Sequence, residues 1–277
     1  MLDLIKAVIL GVVEGITEWL PISSTGHLIL ADEFLKLNVD AEFKEMFNVV
    51  IQLGAIMAVV IIYWQKLWPF TTKSNGYIKK KSISLWSKVI VACLPAAVIG
   101  LLLDDWIDEH FFNPYTVAVT LILYGVLFIV VEILNKKREP VISNMKSLTY
   151  TKALLIGAFQ VLALIPGTSR SGATILGAML LGASRTVSAE FSFYLAVPVM
   201  FGASLLKVVG YIKDLGLAMG GLEAVVLATG MLTAFVVSIV AIKFLMGYIK
   251  KKDFTFFGWY RIALGALVLL YFGVIAK

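Results

Sequence analysis

The chain holds a single cysteine, Cys93, which excludes an internal disulfide framework and a multi-cysteine zinc site. Charge is also scarce. Only 15% of the 277 residues are Asp, Glu, Lys or Arg, against about 25% in soluble proteins. In their place stand apolar side chains, 60% of the chain against about 45–50% in soluble proteins, with a mean hydropathy of +0.93. A water-soluble fold of this length has no interior large enough to hide them, so a soluble enzyme and a disordered chain are both excluded. At about 20 apolar residues per crossing, the length allows at most about eight membrane spans. No cleavable leader is expected, because Glu14 and Glu18 interrupt the first apolar stretch and no small-residue cleavage site follows it.

Six charge-free runs are candidate spans: 47–65, 89–103, 114–131, 191–206, 224–242 and 262–276. Trp259 and Tyr260 suit an interfacial position. The segments between the spans alternate in sign. Residues 66–88 carry Lys66, Lys73, Lys79, Lys80, Lys81 and Lys88 and no acid, whereas 104–110 carry Asp104, Asp105, Asp108 and Glu109 and no Lys or Arg. Residues 135–152 and 243–253 are again basic. The bias of Lys and Arg toward the cytoplasm explains the net charge of +6 as topology, so nucleic acid is not an expected partner. The same bias places both termini outside.

Two further apolar regions, 4–35 and 153–182, are each broken in the middle by Pro, Gly and Ser. They align at a constant offset of 146, with Gly11 on Gly157, Glu14 on Gln160, Ser23 on Ser169, Thr25 on Ser171 and Gly26 on Gly172. Three spans follow each copy. An odd number inverts the second copy, so the expectation is an all-α polytopic membrane protein with an inverted-topology repeat. It is read as a single membrane domain over 1–277, with repeats at 1–137 and 150–277. Each half of a broken region is too short to cross, which makes each region a re-entrant helix hairpin. Entering from opposite faces, the two tips can meet.

The first tip carries Glu14, Glu18, Pro21, Ser23, Ser24, Thr25, Gly26 and His27. Glu14 and Glu18 are i,i+4 and share a helix face. Pro21 ends that helix, and Ser23, Ser24 or Thr25 can cap the next. The second tip runs Pro166-Gly167-Thr168-Ser169-Arg170-Ser171-Gly172-Ala173-Thr174, with Arg170 at the repeat position of Ser24. Helix N-termini and a guanidinium favour a phosphate or diphosphate, and Glu and His beside them favour acid–base chemistry on it. Two plainer readings stand beside this one: in the first the carboxylates neutralise Arg170, and in the second the hydroxyls serve only as caps. Glu132 is expected to snorkel beside Lys136, and Gln52 and Arg261 to be structural or interfacial.

These motifs resemble the undecaprenyl-diphosphate phosphatase family, also called bacitracin-resistance proteins. Glu14-Gly-Ile-Thr-Glu18 matches the family's carboxylate motif, and Ser23-Ser24-Thr25-Gly26-His27 matches its histidine motif. Pro166 through Thr174 matches its Pro-Gly-x-Ser-Arg-Ser-x-x-Thr motif at every fixed position. The resemblance implies a bacterial cytoplasmic-membrane enzyme that hydrolyses undecaprenyl diphosphate to the monophosphate and phosphate. That reaction recycles the lipid carrier of peptidoglycan synthesis and gives bacitracin resistance. It also implies a site open to the outer face. The expected partners are the bilayer and a polyprenyl diphosphate lipid, and a homodimer is compatible with the chain.

The expected catalytic residues are Glu14, Glu18, Ser24, His27 and Arg170. Diphosphate binding is assigned to Ser23, Thr25, Gly26, Ser169, Arg170, Ser171 and Thr174. Arg170 and the helix ends would hold developing charge. His27 would be base or nucleophile, with Ser24 the competing nucleophile three residues away. Glu14 and Glu18 would orient His27 or hold a divalent cation, for which Mg²⁺ or Ca²⁺ suits all-oxygen ligation. The rival classes are a transporter or flippase of polyprenyl phosphate, built on the same repeat logic, and an anion channel, disfavoured by the two carboxylates.

Overall fold

The computed structural model describes residues 2–35, 37–70, 78–215 and 220–275, and among these it is helical, with isolated β-bridges and no strand. Lys73 and the terminal Lys277 lie outside the described residues. The helices in order are α1 (Leu2–Thr17), α2 (Ser24–Phe34), α3 (Ala41–Ile62), the short α4 (Trp64–Leu67), α5 (Lys80–Phe111), α6 (Pro114–Asn135), α7 (Tyr150–Val161), α8 (Arg170–Leu180), α9 (Arg185–Leu215), α10 (Gly221–Ile249) and α11 (Thr255–Leu270). Six of them, α3, α5, α6, α9, α10 and α11, are long and apolar enough to cross a membrane.

Several helices outrun their charge-free runs. The acidic stretch 104–110 is not a loop: α5 continues through it to Phe111, and Pro114 then opens α6. Acidic residues are tolerated in a helix, so α5 runs on past its interior Pro95 to Phe111, and Asn113 and Pro114 then open α6. Asn113 caps α6 by accepting from the Thr116 N–H at 2.9 Å.

Helices α1, α2, α7 and α8, of 11 to 16 residues, are too short to span and come in two pairs, whereas the turn after α11 carries that span on to Val274. α1 stops at Thr17, four residues before Pro21, and α2 begins at Ser24. α7 ends at Val161, tightens through a 3₁₀ turn over Leu162–Leu164, and α8 begins at Arg170. Ser23 and Ser169 hold equivalent places, each with its side chain accepting from a glycine N–H three residues on, Gly26 at 3.3 Å and Gly172 at 3.1 Å. Both serines have positive φ, 73° and 72°, and they are the non-glycine residues in that region among those described. Such backbone costs about 1–3 kcal/mol each and persists only where surrounding contacts impose it.

α1 packs against α10 and α7 against α5, while α6 packs on α11 and α3 on α9. The first two contacts are backbone-close. A Cβ on Gly11 would lie 2.7 Å from the Gly230 carbonyl oxygen, and one on Gly157 would lie 2.0 Å from that of Ala92. Small residues let helices approach closely where lipid offers no hydrophobic drive for association. Outward faces keep large apolar side chains exposed, including Leu101, Leu123, Ile133, Leu206 and Val240, as lipid contact requires.

Candidate active site

The two hairpin tips lie against each other. Arg170, the first residue of α8, donates from Nη2 and Nε to Glu18 Oε1 at 3.0 and 3.2 Å. Its Nη1 donates to the Ser192 carbonyl at 2.9 Å. The other oxygen of Glu18 accepts from the Ser24 hydroxyl at 2.8 Å. The structure thus joins Ser24, Glu18 and Arg170 in one chain of hydrogen bonds, from the start of α2 through the turn after α1 to the start of α8. Of the two carboxylates, Glu18 forms the ion pair with Arg170.

Glu14 stands apart. It is completely buried, and neither carboxylate oxygen has a hydrogen-bond partner among the described residues. A buried carboxylate left so is stable only with a proton or a cation. Among the described residues no group of three or more His, Cys, Asp or Glu gathers into a ready cage. The unpaired oxygens of Glu14 are of the kind that Mg²⁺ takes, whereas both oxygens of Glu18 are engaged by Arg170 and Ser24.

A cavity of about 740 Å³ opens beside the tips. Glu18, Ser24, Thr25, Ser169 and Arg170 line it, together with Gln52, Cys93 and Gln160. Its wall continues to Asp108 and Lys207 near the C-terminal ends of α5 and α9, and through the exposed Leu101, Leu102 and Leu206. A polar head with an apolar side opening suits an amphiphile.

The other expected site residues sit behind this wall. Ser23 and Gly26 make the strained cap of α2. Ser171 donates to the Leu20 carbonyl at 3.3 Å and so ties tip to tip. The Thr174 hydroxyl meets Ser192 Oγ at 2.7 Å and the Arg170 carbonyl at 2.9 Å. His27 does not line the cavity. Its Nδ1 meets the Ser23 carbonyl and its Nε2 the Tyr260 hydroxyl, both at 2.7 Å. The His27–Ser24 base–nucleophile pair is therefore not made in this structure. The two residues leave α2 in different directions, and Ser24 turns to Glu18.

Three residues do more than the sequence suggested. For Arg261 the structural reading holds and the interfacial one fails: it is fully buried and donates to the carbonyls of Pro21 at 3.2 Å and of Gly167 and Thr168 at 2.9 Å each. Both tips thus hang on one guanidinium, which also stacks on the Tyr124 ring at 5.5 Å. Tyr260, expected only as an interfacial anchor, holds His27. Glu132 does not snorkel. It is 3% exposed, paired with Arg185 at 2.5 Å, and it accepts the Phe254 N–H at 2.9 Å. The signal for Arg261 was in the sequence, an arginine beside a long apolar run, because a charge at membrane depth needs a reason.

Comparison with known proteins adds to this geometry. The sequence profile described as bacitracin resistance protein BacA matches residues 7–267. A relative from Enterococcus faecalis, named undecaprenyl-diphosphatase, is 63% identical over 269 residues and 97% of each chain. One from Acetivibrio thermocellus with the same name is 64% identical over 272 residues and 98% of each chain.

Proposed function

The chain belongs to the bacitracin resistance protein BacA family, and on that premise we propose that it is an integral-membrane undecaprenyl-diphosphatase. It releases inorganic phosphate from the lipid diphosphate and returns the monophosphate carrier to cell-wall synthesis. One observation carries this reading. Ser24, Glu18 and Arg170, a hydroxyl, a carboxylate and a guanidinium in hydrogen-bond contact, line one cavity whose side is apolar.

The chemistry follows from those contacts. An entering diphosphate competes with Glu18 for the planar fork of Arg170, which matches phosphate oxygens bidentately. Glu18, released from Arg170, takes the Ser24 proton. The Ser24 oxygen attacks the terminal phosphorus, the bond to the bridging oxygen breaks, and the lipid monophosphate leaves. Water then cleaves the phosphoserine to phosphate, and the serine oxygen regains its proton from Glu18. Arg170 and the first N–H groups of α2 and α8 hold the charge that develops on the phosphoryl oxygens. A divalent cation on Glu14 and Glu18 would neutralise the diphosphate and the carboxylate pair together. His27, between Ser23 and Tyr260, fixes the start of α2 and hence the direction of Ser24.

The orientation belongs to the same proposal. Residues 1–137 and 150–277 form two inverted repeats, with both termini outside. The matched caps at Ser23 and Ser169, and the matched contacts of Gly11 with Gly230 and of Gly157 with Ala92, support this reading. So does the run of the cavity toward Asp108, at the end of α5 that carries the acidic residues. The site then opens to the outer face and meets lipid through Leu101, Leu102 and Leu206.

The test is phosphate release from undecaprenyl diphosphate by the purified chain in detergent, with an Arg170→Ala protein as control. Release by the first and not by the second is expected. No release, with lipid monophosphate moved across vesicles instead, would replace the enzyme with a flippase.

A further inference from the structure

Gln160, on α7, is 2% exposed and lines the cavity, yet neither its amide nitrogen nor its amide oxygen has a hydrogen-bond partner among the described residues. α7 is otherwise an ordinary packed helix. One turn earlier Gly157 seats it against Ala92 of α5, and Ala153 and Ile156 are buried. Leu or Met at 160 would fill the same space with nothing left unpaired. An amide with both groups buried and unpaired costs stability unless a partner arrives.

The cavity restricts what that partner is. Beside Arg170 and the hydroxyls of Ser24, Thr25 and Ser169, which stand on α2, on α8 or at the α8 cap, its polar wall holds Gln52 and the carboxylate of Glu18, which Arg170 and Ser24 already engage. A group that satisfies a guanidinium and hydroxyls in one small space is rich in acceptor oxygens. The amide of Gln160 adds two N–H donors from a third helix, without further charge. We propose that Gln160 is a substrate-binding residue, which donates its amide to the phosphate oxygens of the lipid diphosphate. The assignment rests on the phosphatase reading of the same cavity. As a neutral donor outside the Ser24–Glu18–Arg170 chain, Gln160 holds substrate and transition state alike, so its loss appears in KM and not in kcat.

The experiment uses full-length protein in detergent and three versions: wild type, Gln160→Met and Gln160→Leu. Initial rates of phosphate release are measured against the concentration of a fifteen-carbon prenyl diphosphate. Thermal unfolding is followed with and without a prenyl methylenebisphosphonate, which binds but is not cleaved. In the variants KM is expected to rise roughly tenfold or more with kcat within about threefold. The apo unfolding temperature should be unchanged or higher, and the rise produced by the bisphosphonate should shrink. An unchanged KM with an undiminished bisphosphonate shift in a folded variant overturns the proposal. A lower apo unfolding temperature in both variants, with kcat falling and KM unchanged, also overturns it and makes Gln160 a packing residue. If the wild type binds the bisphosphonate but releases no phosphate, the enzyme reading fails, and the bisphosphonate shift still decides the role of Gln160.

Discussion

Arg261 donates a hydrogen bond from Nη2 to the Thr168 carbonyl at 2.9 Å, from a position with no exposed surface. The same side chain reaches Pro21 on the other tip, so one guanidinium bridges both tips beside the Arg170–Glu18 and Ser171–Leu20 contacts. Arg261→Met would leave three carbonyls unpaired at about 1–3 kcal/mol each. The variant is expected to lose at least about 2 kcal/mol of stability and most activity. Arg261→Lys, which meets only part of the set, should fall between. Thermal unfolding and phosphate release in detergent check both. A wild-type unfolding temperature in Arg261→Met would show that the tips are held by other contacts.

Arg170→Lys keeps the charge and loses the fork that reaches Glu18 through Nε and Nη2. kcat/KM is expected to fall at least about tenfold, on the order of 1.4 kcal/mol of transition-state binding. Steady-state kinetics of the folded variant measure it, and near-normal turnover would mean that a point charge suffices.

Ser24 and His27 separate by their contacts. Ser24→Ala removes the hydroxyl bonded to Glu18 and is expected to lower kcat by at least about 100-fold. Tyr260→Phe frees His27 Nε2 and should cost no more than about tenfold, because the histidine acts on the geometry of α2. If Ser24→Ala turns over well while His27→Ala is dead, the attacking group is His27 or a water that it activates.

The carboxylates respond differently to neutralisation. Glu18→Gln leaves one acceptor oxygen where Arg170 and Ser24 each bond to their own, and removes the charge that takes the Ser24 proton, so it should nearly abolish turnover. Glu14→Gln removes an unpaired buried carboxylate, so it should unfold at no lower temperature and keep more activity than Glu18→Gln. A strong chelator is expected to suppress wild-type release, with Mg²⁺ or Ca²⁺ restoring it. Full activity in chelator, with the protein shown to be metal-free, would leave the pair as proton handlers.

The orientation is read at the two ends of α5. With Cys93 replaced, cysteine at Lys80 should resist a membrane-impermeant thiol reagent in intact cells, and cysteine at Glu109 should label. Both positions are exposed, so access to the reagent is decided by the membrane. The opposite pattern would turn the molecule over and close the site to the outside.

The sequence by itself determined that this is a helical membrane protein and which residues stand at its two broken hairpins. Those properties are local. A run of apolar residues fixes a span by its length, a Pro-Gly or Pro-x-Ser-Ser break halts a helix wherever it lies, and a hydroxyl before a helix caps it. Such rules narrow the cap of α2 to Ser23, Ser24 or Thr25, and the structure takes Ser23, with α2 starting at Ser24 and α8 at Arg170. Only the tertiary structure decided whom each polar group meets. Glu18 takes Arg170 across 152 positions, His27 takes Tyr260 across 233, and Arg261 takes Pro21 across 240. No periodicity or spacing encodes such pairings. In a membrane interior, where water satisfies no donor, a polar group bonds to whatever the packing of apolar faces brings within 3 Å. Packing aimed Ser24 at Glu18 and His27 at Tyr260, and among the described residues it left Glu14 and Gln160, which align at the offset of 146, without a partner.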